Sequence, residues 1–177
     1  MSAPSRAQPA AALDFQHVFS EHCKFVWRVL ARLGVHQSDL PDVCQEVFLV
    51  VHRQLGNFDP TRAALSSWMY GICLRSASDY RRRRVRRKET SAEAAPVVAR
   101  AEHQFEDLAQ RRAWHRLEAV LDAMDAGKRA AFVLYELENL PMSQVAAILS
   151  CPLQTAYARL HAARRLVFQA FEEKSES

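Results

Sequence analysis

The stretch that decides the fold is residues 142–171, which read MSQVAAILSCPLQTAYARLHAARRLVFQAF. Its opening part, residues 142–149, has the periodicity of a short helix with one apolar face, formed by Val145, Ile148 and Leu149. After a brief interruption, Leu153 begins a second helical pattern that runs to about Phe171. Two helices with so short a connection must cross steeply, and the pattern therefore predicts a helix-turn-helix.

The second helix of this pair has two chemically distinct faces. Apolar side chains at steps of three and four predict a buried stripe of Leu153, Ala156, Leu160, Ala163 and Val167. At about 100° per residue, the opposite face presents Gln154, Tyr157, Ala158, His161 and Arg165, none of them acidic. Such a helix suits the major groove of DNA, where Gln154 could pair bidentately with adenine. An ordinary surface helix of a bundle is the alternative interpretation.

The rest of the chain also has the pattern of helices rather than strands. The 177 residues are 49% hydrophobic and include only 4 Gly and 7 Pro, so we expect helices and no sheet. Further helices are predicted at about 15–33, 41–55, 65–84, 105–124 and 131–137. Gly34 is expected to end the first of them.

Positive charge is concentrated in one run, RRRRVRRK at residues 81–88, in a chain of net charge +4. This density suits a polyanion, although a solvated tail is the alternative. Because no apolar stretch is long enough for a signal peptide or a membrane span, we favour nucleic acid over lipid and expect a cytoplasmic protein. Residues 89–104 are rich in Ala, Ser, Thr and Glu without clear periodicity, which predicts an interdomain linker.

Patterns typical of metal sites and enzymes are missing from the sequence. The four cysteines are widely spaced, form no C-x-x-C pair and are expected to be free buried thiols; they are Cys23, Cys44, Cys73 and Cys151. Glycine-rich phosphate loops and pocket-like carboxylate pairs are also missing. We therefore expect no metal and no cofactor, assign no catalytic residue and regard an enzyme as the weakest interpretation.

Four segments taken together resemble the extracytoplasmic-function sigma factors, the smallest members of the sigma-70 family of bacterial RNA polymerase sigma factors. They are DVCQEVFLVVHRQLGNFDP (42–60), SSWMYGICLRSASDYRRRR (66–84), KRAAFVLYELENLPMSQVAAIL (128–149) and CPLQTAYARLHAARR (151–165). The resemblance implies an all-α protein with two small helical domains joined by a flexible linker. The implied boundaries are a disordered leader at 1–12, a first domain at 13–88, the linker at 89–104 and a helix-turn-helix domain at 105–173.

The resemblance also implies roles for residues of the first domain. In the family, this domain binds the clamp helices of the largest subunit of core polymerase, here through Asp42, Gln45, Glu46 and Leu49. It also binds and melts the promoter element near minus ten, here through Asn57, Phe58, Asp59, Leu65, Ser66, Trp68, Arg75, Asp79, Tyr80, Arg82, Arg83, Arg86 and Arg87. The helical spacing of Trp68 and Tyr80 favours core positions over base platforms.

The second domain is implied to bind the duplex promoter element near minus thirty-five and the flap of the second polymerase subunit. The DNA contacts implied are Gln154, Thr155, Tyr157, Ala158, Arg159, His161, Ala162 and Arg165. Arg159 and Arg164, at the edges of this face, are expected to touch phosphates or acidic neighbours. Family members are also often held by a membrane-linked anti-sigma protein, whereas this chain itself is not expected to insert into a membrane.

The sequence departs from the family pattern at several positions. Arg75 stands where the family commonly has Asn, and Tyr157 and Ala162 stand where Lys or Arg is common. Ser150 replaces a frequent turn glycine and is expected to have a positive φ at some cost in stability. Pro141 replaces a capping serine, but a proline can occupy a first turn and the helix should form.

A stand-alone helix-turn-helix regulator is the alternative function. It would account for the carboxyl half of the chain. It would leave the face containing Asp42 and the segment from Phe58 to Trp68 without a role.

Overall fold

The structure is a computed structural model that describes residues 14–90 and 108–172. Within those two stretches every regular element is helical, as the all-α prediction requires. The α-helices are α1 (Phe15–Arg32), α2 (Leu40–Gln54), α3 (Leu65–Thr90), α4 (Leu108–Ala123), α5 (Ala126–Phe132), α6 (Met142–Ile148) and α7 (Leu153–Glu172). The predicted leader and most of the predicted linker lie outside the described residues.

Helix α1 ends at the position predicted from the sequence. The residue after the C-cap, Gly34, has φ +95°, a conformation that glycine adopts without a steric penalty. Its amide donates to the carbonyl of Ala31, and the next amide, that of Val35, donates to the carbonyl of Leu30. These two bonds form a Schellman motif, so the predicted stop at Gly34 is confirmed.

Helices α1, α2 and α3 pack into one bundle around an apolar centre. The face of α2 predicted to point inward does so, since Val43, Val47 and Val51 are buried and Val50 is half-buried. Opposite them lie buried side chains of α1 and α3: Val26, Val29, Leu30, Met69, Ile72 and Cys73. Burial of this surface supplies the main driving force for folding of this half.

Helix α3 is longer than predicted. It was expected to end near residue 84 but continues to Thr90, two residues into the predicted linker. Arginine and lysine are good helix formers and interact favourably with the negative end of the helix dipole, so the arginine run extends the helix instead of ending it.

Helices α4 to α7 form the second bundle, which contains the predicted helix-turn-helix. Helix α6 ends in a second Schellman motif, in which Ser150 has φ +49° and its amide donates to the carbonyl of Ala147. The predicted positive φ at Ser150 is therefore confirmed. Pro141 occupies the N-cap of α6, and the helix forms as expected.

A π-helical segment, Val133–Leu137, follows α5 directly. The amide of Glu138 donates to the carbonyl of Val133 at 3.0 Å, which spans one residue more than an α-helical hydrogen bond. Asn139 then has φ +56° and turns the chain toward α6. This wide turn comes directly before Glu138.

The two bundles lie against each other, with α6 packed on α3. Independent domains on a linker were expected from the sequence, so this interface is a finding of the structure. The interface includes buried polar groups, which would destabilise the protein if they had no hydrogen-bonding partner. The main one is Glu138, whose side chain is 3% exposed.

Among the residues described, no helix is long and apolar enough to span a bilayer. The four cysteines are free. Cys44 and Cys73 are buried as predicted, whereas Cys23 and Cys151 are half-buried.

Candidate nucleic-acid interface

Helix α7 presents the polar face predicted from its periodicity. All five residues of that face are exposed: Gln154, Tyr157, Ala158, His161 and Arg165. The rings of Tyr157 and His161 stack with their centroids 6.5 Å apart, so two of these side chains lie against each other. Side chains with the chemistry to hydrogen-bond to bases and phosphates thus lie together on one side of the helix.

The opposite side of α7 anchors it to the bundle. Ala156, Leu160 and Ala163 are buried and Val167 is half-buried, as predicted. Leu153 was predicted to join this buried stripe but is 43% exposed, so that expectation is wrong. As the first residue of α7, Leu153 lies at the end of the stripe and lacks a preceding helical turn to pack beside.

The remaining candidates on α7 lie at the edges of the exposed face. Thr155, Arg159 and Ala162 are half-buried. The Arg159 guanidinium passes close to Gly127, where a Cβ atom would lie 3.2 Å from the Arg159 Nε. Arg164 donates to the Glu136 carboxylate at 2.6 Å, which confirms an acidic neighbour for that side chain.

A second exposed face lies on α2 in the first bundle. Asp42, Gln45, Glu46 and Leu49 are all exposed, and Leu49 is 49% exposed despite being apolar. The Glu46 carboxylate accepts hydrogen bonds at 3.0 and 3.2 Å from Arg83 of α3. An acidic face with an exposed leucine at one end suits contact with a basic protein surface.

The loop before α3 is fastened to that helix by an aromatic pair. The rings of Phe58 and Trp68 lie 5.2 Å apart and are tilted by 46°, and both side chains are half-buried. Leu65 and Ser66 beside them are also half-buried, while Asn57 is exposed. The pair thus presents an aromatic edge that is only partly covered by the core.

Asp59 organises the same loop. Its carboxylate accepts hydrogen bonds from the Thr61 hydroxyl at 2.6 Å and the Thr61 amide at 2.9 Å. These bonds to the charged form lower the pKa of Asp59. The carboxylate therefore holds the loop shape and stays exposed to solvent.

Tyr80 was a candidate DNA contact, but its side chain is buried. Only 7% of Tyr80 is exposed, and its hydroxyl donates to Asp39 at 2.6 Å while accepting from the His36 amide at 3.3 Å. Burial and the Asp39 bond raise the pKa of this phenol. Tyr80 is therefore a core residue in this structure, and the expectation that it contacts DNA is corrected.

The arginine run divides between two sides of α3. Arg82, Arg83, Arg86 and Arg87 are exposed, as are Arg75 and Asp79 one to two turns earlier. Arg82 forms an ion pair with Asp79. Arg81, by contrast, points to the second bundle and donates to the Met124 carbonyl at 3.1 Å. One side of the run is thus directed to solvent and the other to the interface between bundles.

An apolar groove on the second bundle was missed from the sequence. It is lined by Phe132, Val167, Phe168 and Phe171, and Arg164 and Arg165 flank it. Phe168 is 62% exposed. Phe168 could have indicated the groove, because it is an apolar residue of α7 outside the predicted buried stripe. Single exposed hydrophobic residues are, however, common on protein surfaces.

The contact between bundles was also missed. The Glu138 carboxylate accepts hydrogen bonds from the Tyr70 hydroxyl at 2.6 Å, from Arg28 at 3.2 Å and from Arg32. Burial opposes ionisation of Glu138, but these donors and the two positive charges outweigh it and lower its pKa. Separately, in the described part of the chain no three His, Cys, Asp or Glu residues are placed to hold a metal ion.

In comparisons with known proteins, each bundle matches a family model. Residues 18–87 match the family model Sigma-70 region 2, and residues 114–167 match the model Sigma-70, region 4. RNA polymerase sigma-H factor of Pseudomonas aeruginosa is 30% identical, over 94% of this chain and 87% of that protein. ECF RNA polymerase sigma factor SigE of Mycolicibacterium smegmatis is 28% identical over 88% of this chain, which spans 61% of the length of that relative.

Solved structures resemble the whole arrangement. The sigma factor RpoE of Bartonella quintana, in complex with the anti-sigma factor NepR, superposes with a TM-score of 0.75 at 18% identity. That match covers 91% of this chain and 98% of the other. CnrH in complex with the cytosolic domain of CnrY gives a TM-score of 0.65 at 20% identity, covering 90% and 88% of the two chains. At these identities the likeness shows a shared fold.

Proposed function

Because this chain is a sigma factor of the extracytoplasmic-function subgroup of the sigma-70 family, we propose that it binds core RNA polymerase, directs it to specific promoters and assists promoter melting. The observation that carries the proposal is the pair of family matches at 18–87 and 114–167, in the order of the two sigma regions. A stand-alone regulator would use only the second of them.

The exposed face of α2 is the proposed contact with core polymerase. Its acidic and amide groups, Asp42, Gln45 and Glu46, lie on the turns of α2 that precede the exposed Leu49. A partner helix with basic side chains and one apolar residue would complement this face, since charge governs the encounter and the apolar centre supplies buried area. The clamp helices of the largest polymerase subunit are the proposed partner.

The loop before α3 and the start of that helix are the proposed site for the melted element near minus ten. Melting requires a base to leave the stack at a cost of a few kcal/mol, which stacking and edge hydrogen bonds must offset. The half-buried edges of Phe58 and Trp68 offer the apolar surface, together with Leu65. Polar contacts are proposed for Asn57, Asp59, Ser66, Arg75 and Asp79.

The solvent-facing side of the arginine run is the proposed phosphate contact. Arg82, Arg83, Arg86 and Arg87 are exposed along the last turns of α3. Each phosphate neutralised by such a side chain releases counterions and adds affinity that depends on salt. Pairing of Arg82 with Asp79 and of Arg83 with Glu46 is weak at these exposures, so a phosphate can compete for both.

The exposed face of α7 is the proposed reader of the duplex element near minus thirty-five. Gln154, Tyr157, Ala158 and His161 would meet base edges in the major groove, with Arg165 toward the end of the face. Thr155, Arg159 and Ala162 lie at its edge and are proposed to position the helix against the backbone.

The apolar groove of the second bundle is the proposed contact with the flap of the second polymerase subunit. Phe168 and Phe171 give it a large apolar surface, and an exposed apolar patch of this kind marks a protein contact. An anti-sigma protein is a further proposed partner, because the structural relatives RpoE and CnrH were solved with NepR and CnrY.

We place this activity in the cytoplasm, where RNA polymerase and the chromosome are. The chain itself is proposed to have no catalytic role, because sigma factors act in transcription initiation by binding. Bond formation would belong to the polymerase.

Run-off transcription on a fragmented genomic library tests the proposal. Purified core polymerase is supplied alone, with this protein, or with the variant Glu46→Ala plus Leu49→Ala. We expect discrete transcripts that require the wild-type protein and a large loss with the variant. Transcription that is the same with and without the protein would show that it is not a sigma factor for that polymerase.

A further inference from the structure

A hydrogen-bonded network joins Tyr80 of α3 to the turn between α1 and α2. The Tyr80 hydroxyl donates to Asp39 Oδ2 at 2.6 Å and accepts from the His36 amide at 3.3 Å. Arg84, one helical turn further along α3, donates to the same hydroxyl at 3.5 Å. His36 and Asp39 belong to the short 3-10 turn that connects α1 to α2. Tyr80 therefore ties α3 to the other two helices of the first bundle.

Asp39 stands at the N-cap of α2 but does not cap that helix. An aspartate at this position usually accepts a hydrogen bond from a backbone amide of the first helical turn. The Asp39 side chain forms no such bond. Its Oδ2 accepts from Tyr80, and its Oδ1 accepts from the Ser38 hydroxyl at 3.2 Å. The carboxylate is therefore directed to α3 and not to its own helix.

Tyr80 is also the last residue of α3 that is buried among those whose side chains the structure describes. In the turns before it, Ile72, Cys73 and Ala77 are in the core. From 81 to 87, no side chain is buried. The proposed phosphate contacts thus all lie beyond the point at which the core of the first bundle holds α3.

The arginine run beyond Tyr80 is held to the first bundle by a weaker contact. Arg83 pairs with Glu46, but both side chains are about half exposed, and such pairs contribute little. Arg87 lies seven residues after Tyr80, about 10 Å along the helix axis. A tilt of about 10° at Tyr80 would move that residue by about 2 Å. This displacement is larger than the roughly 0.5 Å spread of hydrogen-bond lengths, so a phosphate contact would be lost.

We infer that Asp39 is a positioning residue for DNA binding: by holding the Tyr80 hydroxyl, it fixes the direction in which the arginine run leaves the first bundle. Asp39 itself touches no DNA. A network in which each polar group is paired favours one arrangement of the helices over others. The inference rests on the proposed function, because that function assigns phosphate contacts to the run.

Three variants of the full chain test the inference. Asp39→Ala removes the acceptor of the Tyr80 bond, Tyr80→Phe removes the hydroxyl, and Asp39→Asn keeps an acceptor oxygen. Each is assembled with core polymerase, and binding to a promoter fragment recovered by run-off transcription is measured across a salt series.

For Asp39→Ala and Tyr80→Phe we expect about tenfold weaker promoter binding. The slope of log K against log salt should fall by roughly 1 to 2 units, because each lost phosphate contact removes about 0.7 to 0.9. Asp39→Asn should retain most of the affinity and the slope. Affinity for core polymerase should be unchanged in all three variants, which fluorescence anisotropy measures.

A matched control separates positioning from stability. Asp14 caps α1 by accepting from the Gln16 amide at 3.3 Å, so Asp14→Ala weakens the first bundle through a lost cap. Urea unfolding compares the stability of the variants. Asp14→Ala should be less stable than the wild type and have an unchanged salt slope. An equal fall in slope for Asp14→Ala and Asp39→Ala would attribute the effect to stability alone and overturn the inference.

A combined variant tests whether Asp39 acts through the arginine run. When Asp39→Ala is added to a protein with Ala at Arg82, Arg86 and Arg87, little further loss of promoter affinity is expected, because the contacts to be positioned are already gone. The same loss in both backgrounds, or an unchanged slope for Asp39→Ala, would contradict the positioning role. A wild-type protein that directs no transcription would instead overturn the proposed function, and this inference with it.

Discussion

The Arg83 guanidinium lies 3.0 Å from the Glu46 carboxylate, so the surface proposed for polymerase and the surface proposed for DNA meet at one ion pair. The two side chains are 50% and 46% exposed. Exposed pairs contribute little to stability, about 0–1 kcal/mol, and this pair is more important as the boundary between two binding surfaces.

Glu46→Ala should therefore separate binding from stability. We expect at least about a tenfold loss of affinity for core polymerase, which is about 1.4 kcal/mol, with a change in unfolding free energy below about 0.5 kcal/mol. Fluorescence anisotropy of the polymerase complex measures the affinity, and urea unfolding measures the free energy of unfolding. Glu21→Ala, at an exposed carboxylate of α1 paired with His17, is the matched control and should leave polymerase affinity unchanged.

Replacing Arg82, Arg86 and Arg87 by Ala should flatten the salt dependence of promoter binding. If each contacts one phosphate, the slope of log K against log salt falls by roughly 2 to 3 units, at 0.7 to 0.9 per contact. Binding of the holoenzyme across a salt series gives the slope. Lys24→Ala with Arg112→Ala removes exposed charge elsewhere and should leave it unchanged; an equal slope for all three proteins would identify the run as a solvated tail.

Gln154→Ala or His161→Ala should change base preference at individual upstream positions. Loss of one good base contact costs about 1–3 kcal/mol of discrimination against the wrong base. Selection of binding sites from a randomised duplex measures the preference. Arg164→Ala is the comparison, because that side chain is engaged by Glu136 and should leave the selected sequence unaltered. Uniform weakening by Gln154→Ala would mean a phosphate contact instead.

The thiol of Cys44 should resist alkylation in the native protein. Burial first, and then the neighbouring Cys23, raise its pKa from 9.0 to about 12. Because the thiolate is the reactive species, native Cys44 should react with iodoacetamide at pH 9 far more slowly than the same residue in urea. Cys23 and Cys151 are half-buried and are expected to react before Cys44. Peptide mass spectrometry over time measures both rates.

The raised pKa of Cys44 also predicts whether the stability of the protein rises or falls with pH. When folding raises the pKa of a group, the group's contribution to the free energy of unfolding is complete at pH values below its pKa in the unfolded chain. That contribution is lost as the pH rises through the pKa in the folded protein. Unfolding free energy should therefore decline between about pH 9 and pH 12, and Cys44→Ala should reduce the part of this decline that comes from Cys44. A slope unaffected by the variant would contradict the assignment.

The sequence was sufficient for features that depend on neighbouring residues. Helical periodicity placed the exposed face of α7 and the buried face of α2, and Gly34 and Ser150 marked the ends of α1 and α6. Each of these follows from local backbone preferences or from the spacing of apolar side chains. The spacing of Tyr80 favoured a core position over a DNA contact, and Tyr80 is buried in the core.

The interface between the bundles could not be read from the sequence. Glu138 and Arg32 are 106 residues apart, and each looks like an ordinary charged residue in its own segment. Their pairing depends on how two complete bundles meet, which no local pattern encodes. The division of the arginine run, with Arg81 directed to Met124, depends on the same packing.

The wide turn at Val133–Leu137 has a consequence for how the protein tolerates changes in length. Deleting one residue between Val133 and Glu138 would let the same hydrogen bond, from the Glu138 amide to the Val133 carbonyl, close an ordinary α-helical turn. Glu138 would then stay close to Arg28 and Arg32. A single-codon deletion inside α5, by contrast, would rotate everything downstream by about 100° and turn one half of the molecule away from the other.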